Sequence, residues 1–166
     1  MLKIFDSPDD IDFRQLSDVY EEGIRINGRE LYPTQPENLQ ILYAEQDFYA
    51  YIEEFFKEPT AKYAVCFHNG FYASALRLES YNDGILLNAL ETVPSLRNNG
   101  FATKLICSVL EYLRCRGDGV LYSHVDKNNL TSLHVHLLCG FRIISEKAVF
   151  LDGTVKCDSF TLSINY

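Results

Sequence analysis

The chain has 166 residues, 47% hydrophobic and 23% charged, which is enough apolar material for one compact domain spanning 1–166. A net charge of −8 and a pI near 4.9 exclude a broad phosphate-binding surface, so no nucleic-acid partner is expected. No run reaches the ~18 apolar residues of a membrane span, no signal peptide opens the chain, and the five cysteines are widely spaced without a C-x-x-C pair, which together predict a soluble cytoplasmic protein with reduced thiols and no metal site.

In chain order, "LKIF" (Leu2 to Phe5) reads as a short strand. "SPDDIDF" then supplies cap chemistry for a helix near Ile11 to Ile26. Pro36 suits the first turn of a second helix, in which Ile41, Ala44, Phe48, Ile52 and Phe55 recur at helical spacing and "KEP" ends the run. From Lys62 the period changes to two. "KYAVCFH", "FYASALRLES" and "ILLNALETV" are separated by Asn69-Gly70 and Asn82-Asp83-Gly84, which predicts three antiparallel strands joined by tight hairpins. A helix to about Arg116 follows, then a strand "GVLYSHV", a helix from Asn129 to Cys139 ended by Gly140, and two last strands near "FRIISEKAVFL" and "CDSFTLSIN". A helix between "ILLNALETV" and "GVLYSHV" makes those two strands parallel neighbours inside an otherwise antiparallel sheet. The fold class is therefore α/β of the α+β type, with about four flanking helices.

The chemistry concentrates in "ETVPSLRNNGFATKL". Ala102, Leu105, Ile106, Val109, Leu110 and Leu113 form a buried helical stripe, so the helix begins about Gly100. Glycine there costs about 1 kcal/mol against alanine, which makes sense where a ligand approaches the backbone closely. A helix N-terminus offering bare N–H groups, with Arg97 adding charge, suits a pyrophosphate; Asn98 or Asn99 would otherwise cap it. By itself, Asn-Asn-Gly also fits an ordinary turn. Farther on, Asn129, Ser132 and His136 project from one narrow edge of their helix, with Leu130, Leu133 and Leu137 as the adjacent buried stripe. His134 points to the opposite side, His68 lies beside a turn, and the facing of His124 is open.

Two segments together resemble the GNAT superfamily of N-acetyltransferases. "LETVPSLRNNGFATKLI" is similar to its V-x-P strand end followed by [RQ]-x-x-G-x-[GA], and "NLTSLHVHLLCGF" to its N-x-x-[SA]-x-x-x-[YH]-x-x-x-G-F. With the element order, the resemblance covers nearly the whole chain. It implies the GNAT fold, a mostly antiparallel sheet with a splayed parallel pair, and acetyl-CoA as acyl donor. It implies cofactor contacts from Thr92, Val93, Arg97, Asn98, Asn99, Gly100, Phe101, Ala102, Thr103, Asn129, Ser132 and His136, with a homodimer left open.

The implied reaction is direct transfer of acetyl to a primary amine of a small molecule or peptide through a tetrahedral intermediate. His136 stands where the family's acid stands, and the oxyanion donor falls on the N–H of Thr92 or Val93. Many members carry glutamate where this chain has Leu86 and Asn88, so two readings of the base remain. Glu91 reaches the cleft if the strand carries a bulge, or Asn88 helps hold a relay water. Tyr32 lines the acceptor pocket by analogy. A non-catalytic acyl-CoA-binding module stands as the alternative, and an acidic docking surface as a third reading.

Overall fold

The computed structural model describes Met1–Tyr166. The strands are β1 (Leu2–Phe5), β2 (Lys62–His68), β3 (Phe71–Tyr81), β4 (Gly84–Thr92), β5 (Val120–Asp126), β6 (Arg142–Ser145), β7 (Ala148–Val149), β8 (Val155–Lys156) and β9 (Ser159–Asn165). The helices are α1 (Phe13–Val19), α2 (Glu21–Leu31), α3 (Glu37–Phe55), α4 (Phe101–Arg114) and α5 (Leu130–Leu138). Seven strands form one sheet in the order β1-β2-β3-β4-β5-β9-β6. The β4–β5 pair is parallel, as the crossover through α4 requires, and the other neighbours are antiparallel. Asn69 and Gly70 both take positive φ (50° and 85°), the turn that Asn-Gly prefers between twisted strands.

Three expectations are corrected. The first helix is two helices, with a break at Tyr20, where the backbone leaves helical geometry (φ −99°, ψ 14°). Asp12 caps α1 by accepting the Gln15 N–H, and α2 runs on to Leu31. There Gly28 packs against α3 so closely that a Cβ would lie 2.7 Å from the Gln40 carbonyl oxygen. Second, the segment between the last two sheet strands forms its own ribbon, β7–β8, because Gly153 (φ 83°) turns the chain back on itself. Third, α5 is rotated by about a third of a turn from the expected orientation. Leu130 and Leu137 are exposed (69% and 46%), while His136 is buried. No helix is long and apolar enough to cross a membrane.

Each face of the sheet carries its own core. Against α4 and α5 pack aliphatic residues such as Leu76, Leu78, Leu87, Leu105 and Leu121. Against α1, α2 and α3 pack Phe5, Tyr20, Phe55, Tyr63 and Tyr72. The second face is aromatic, and its hydroxyls and rings make directed contacts, including edge-on pairs of Tyr63 with Tyr20 and Phe55.

Candidate active site

The parallel pairing of β4 with β5 ends at Leu87 opposite Ser123. Beyond it the strands part, and the cause is visible on β4. Asn88 pairs with Arg77 and Glu91 with Ala75, so Leu76 alone faces the two residues Ala89 and Leu90. That is a β-bulge, with Ala89 at φ 50°, a left-handed conformation unusual for alanine. The Tyr20 hydroxyl holds it by donating to the Ala89 carbonyl at 2.7 Å. Cross-strand partners share a face. The bulge therefore puts Asn88 and Glu91 on the same side as Arg77 and Ala75, the face covered by α1 to α3.

A cleft of about 520 Å³ opens at the splay, lined by Glu91, Thr92, Arg97, Gly100, Ser132 and neighbours, with Asn98, Phe101, Ala102, Thr103 and Asn129 also on its wall. Gly100 is the N-cap of α4, not its first residue, and has φ 77°. A Cβ there would meet nothing within 4 Å, so the backbone conformation is what calls for glycine. Asn98 is left-handed as well (φ 62°). Neither asparagine caps the helix, since Asn99 Nδ2 donates to the Leu96 and Arg97 carbonyls and α4 has no side-chain cap. The first intrahelical bond runs from Lys104 N–H to Gly100 O. The N–H groups of Phe101, Ala102 and Thr103 therefore face the cleft end of the helix unspent, which is the physical requirement for holding an anion.

Of the two oxyanion candidates, Val93 is engaged, because its N–H donates to Ala73 O at 3.0 Å. Alternate residues of an antiparallel strand point their N–H groups to opposite edges. The Thr92 N–H is thereby directed away from β3, toward the gap. Arg97 spans the mouth, with Nη2 2.7 Å from Glu22 Oε2 and 3.6 Å from Glu91 Oε2, and Nε donating to Thr92 O. Burial pushes the Glu91 carboxyl above the ordinary carboxylate range; Arg97 pulls it down and Glu22 pushes it up.

His136 lies beneath the cleft instead of on its surface, at 1% exposure. Nδ1 sits 2.8 Å from Ser132 O, which only accepts, so Nδ1 carries the proton and Nε2 accepts from the Ser123 hydroxyl at 2.9 Å. Both ring nitrogens are spent on structure, and burial holds the ring below its usual pKa. Asn129 uses its side-chain oxygen to cap α5 through the Ser132 N–H, leaving its amide N–H groups free. Asn88 Nδ2 donates to Glu79 Oε1. Tyr32 does not line the aromatic cavity beside the bulge; its hydroxyl donates to Asp47, which does.

Two residues could not be placed from the sequence. His124 shares the Asn88 face, packs between Tyr81 and Phe150, and has both ring nitrogens buried without partners. Arg77 lines a separate aromatic cavity. Only strand register, invisible in a single chain of letters, could have assigned either to this face.

A splayed parallel pair with an uncapped helix N-terminus at its mouth defines an acyl-carrier site of the acetyltransferase kind. The model of the acetyltransferase (GNAT) family matches residues 28–141, and the chain belongs to that family. Solved structures share the fold over nearly their whole length. The chain is similar to an IAA acetyltransferase from Bacillus cereus (15% identity, TM-score 0.64, covering 100% of this chain and 99% of that one). It is similar to the PaiA N-acetyltransferase from Thermoplasma acidophilum in complex with coenzyme A (14%, 0.66, 100% and 99%). The ribosomal-protein-S18-alanine N-acetyltransferase from Escherichia coli is a third (17%, 0.64, 99% and 94%). Among curated proteins none matches the chain.

Proposed function

We propose that the protein is an acetyl-CoA-dependent N-acetyltransferase that passes acetyl directly to a primary amine. The observation that carries this reading is that the cleft at the unspent α4 N–H groups adjoins the cavity in the gap between β4 and β5, the two sharing Leu90, Glu91, Asn129 and Ser132. The Thermoplasma relative holds coenzyme A in the same fold, which supports it. Bound acetyl-CoA would supply an activated acetyl group and a thiolate leaving group. The N–H groups of Phe101, Ala102 and Thr103 hold its pyrophosphate, with Asn98 and Arg97 beside them. Asn129 and Ser132 bond the pantetheine arm. The Thr92 N–H receives the charge that gathers on the acetyl oxygen during attack.

An alkylamine with a pKa near 10.4 must lose a proton before it attacks, and Glu91 takes it. Burial raises its pKa, which makes the carboxylate a stronger base than one in water. A thiol with a pKa near 8.5 leaves readily, so His136 is assigned to positioning Ser123 and Ser132. A second reading of the base rests on His124. Its unpartnered nitrogens and burial-lowered pKa leave it neutral and ready to accept a proton.

The test pairs coenzyme A binding, by calorimetry, with thiol release from acetyl-CoA over a panel of amines. Binding with turnover supports the transferase. Binding without turnover on any amine supports the acyl-CoA-binding module, and absence of binding overturns the cofactor assignment. Loss of turnover in His124→Gln, with Glu91→Gln still active, would move the base to His124.

A further inference from the structure

Next to the bulge, on the face covered by α1 to α3, lies a second cavity of about 390 Å³, a size suited to a small molecule. Its wall is aromatic, with Tyr20, Phe48, Tyr51 and Tyr63, and it carries one charge of each sign, Arg77 and Asp47. Ala89 belongs both to this wall and to that of the small cavity between the splayed strands, so the two spaces meet at the bulge.

Arg77 stands out by its depth. Of the 15 lysines and arginines, only Arg25, Lys57, Arg97 and Lys127 meet a carboxylate, all four at or near the surface. Arg77, deeper than any of them, forms no ion pair. Its guanidinium stacks over Tyr51 at 4.7 Å and Phe55 at 5.5 Å, and one terminal nitrogen donates to the Tyr51 hydroxyl. Nε is buried with no hydrogen-bond partner. The acids of the neighbourhood are committed elsewhere. Glu79 accepts from Asn88, and Asp47 accepts from Tyr32. A half-buried guanidinium whose buried Nε lacks a partner is costly, and its rigid fork matches the two oxygens of a carboxylate.

We propose that the acceptor amine also carries a carboxylate, which Arg77 grips while the amine is presented at the bulge. This rests on the transferase reading and narrows its substrate class to small amino acids. Arg77 lies directly across from Asn88, the residue before Ala89. The anion grip and the bulge thus start from facing positions on neighbouring strands, and the length of the linker is what a graded series of amino carboxylates reads. Tyr51 and Phe55 fix the guanidinium plane from one side. The aromatic wall encloses the linker, and Asp47 is the cavity's one acidic side chain.

The test uses the full chain with coenzyme A present. A series of amino carboxylates from glycine to 6-aminohexanoate, each paired with the alkylamine of equal length, is titrated and read by ligand-observed NMR. At least one amino carboxylate should bind about 10-fold or more tightly than its paired amine, about 1.4 kcal/mol. Arg77→Met should collapse that contrast to within about 2-fold, while Arg77→Lys keeps part of it, since charge survives and the fork does not. Circular dichroism and the coenzyme A thermal shift establish that each variant is folded. Equal binding of acid and amine throughout the series overturns the proposal, as does a contrast that survives in Arg77→Met. Aminoalkylphosphonates binding more tightly than every carboxylate would replace the carboxylate with a phosphoryl group. Should amino carboxylates bind selectively while coenzyme A does not, the transferase reading fails and the Arg77 site stands.

Discussion

The two faces of the sheet do different work with different residues. The α4 and α5 face is filled with leucine, isoleucine and valine, whose only demand is close packing. The α1 to α3 face places tyrosines, a half-buried arginine without an ion-pair partner, and carboxylates against the same strands. Buried polar groups without partners are seldom kept for stability. Their confinement to one face is what the proposed acceptor site would require.

The strongest way to test that contrast is to open a hole in the aliphatic face. Leu105 is fully buried, and Leu105→Ala should lower unfolding free energy by about 3 kcal/mol in a urea titration. A loss under ~1 kcal/mol would mean this face is not the structural one. Next, Glu91→Gln should depress kcat/KM by about 100-fold for alkylamines, with little change in melting temperature. An aniline-type acceptor, neutral at the outset, should feel far less. An equal loss on both acceptors would make Glu91 a positioning residue.

At the mouth between the faces, Gly100→Val should weaken coenzyme A binding by about 10-fold or more. A β-branched residue resists φ 77°, and that strain reorients the N–H groups of α4. Calorimetry that finds unchanged affinity would remove the phosphate from this loop.

The smallest effect is a pH dependence. The folded pKa of His136 is lowered by burial, so the unfolded chain binds the proton more readily. Its stabilising contribution is complete above the unfolded value of about 6.5 and is lost as pH falls toward the folded one. His136→Gln should flatten the stability profile below about pH 6.5, with the shallower slope due to His124 remaining. An unchanged slope would show that the imidazole is not the titrating group.

Strands β2 to β4 were legible because Asn69-Gly70 and a clean period of two act locally, and α4 because its stripe is long and aliphatic. The splay was legible only through the family resemblance. The bulge entered in the same way, as a condition for Glu91 to reach the cleft, since "ILLNALETV" is apolar nearly throughout and an inserted residue leaves no mark on such a run. The break at Tyr20 was missed because no Pro or Gly marks it in the run and its one directed contact, the hydroxyl bond to Ala89, lies 69 residues away. In α5, leucines at 130, 133 and 137 mimic a core stripe, yet the buried bonds of His136 to Ser123 and Ser132 O turn the helix the other way. For Arg77, nothing in "FYASALRLES" separates an arginine at the end of a cavity from one in water.

The extra residue at Ala89 works as a change of frame. Upstream of it, even-numbered side chains of β4 such as Leu86 and Asn88 look toward α1 to α3; downstream, the odd-numbered Glu91 does. Shortening β4 by this one residue would keep every amino acid from Glu91 onward and yet hand each to the opposite layer, with the carboxylate delivered to the leucines and Thr92 to the tyrosines. Chemistry at this site is thus specified by counting as much as by composition, and insertions or deletions here are a different kind of event from those in the hairpin turns.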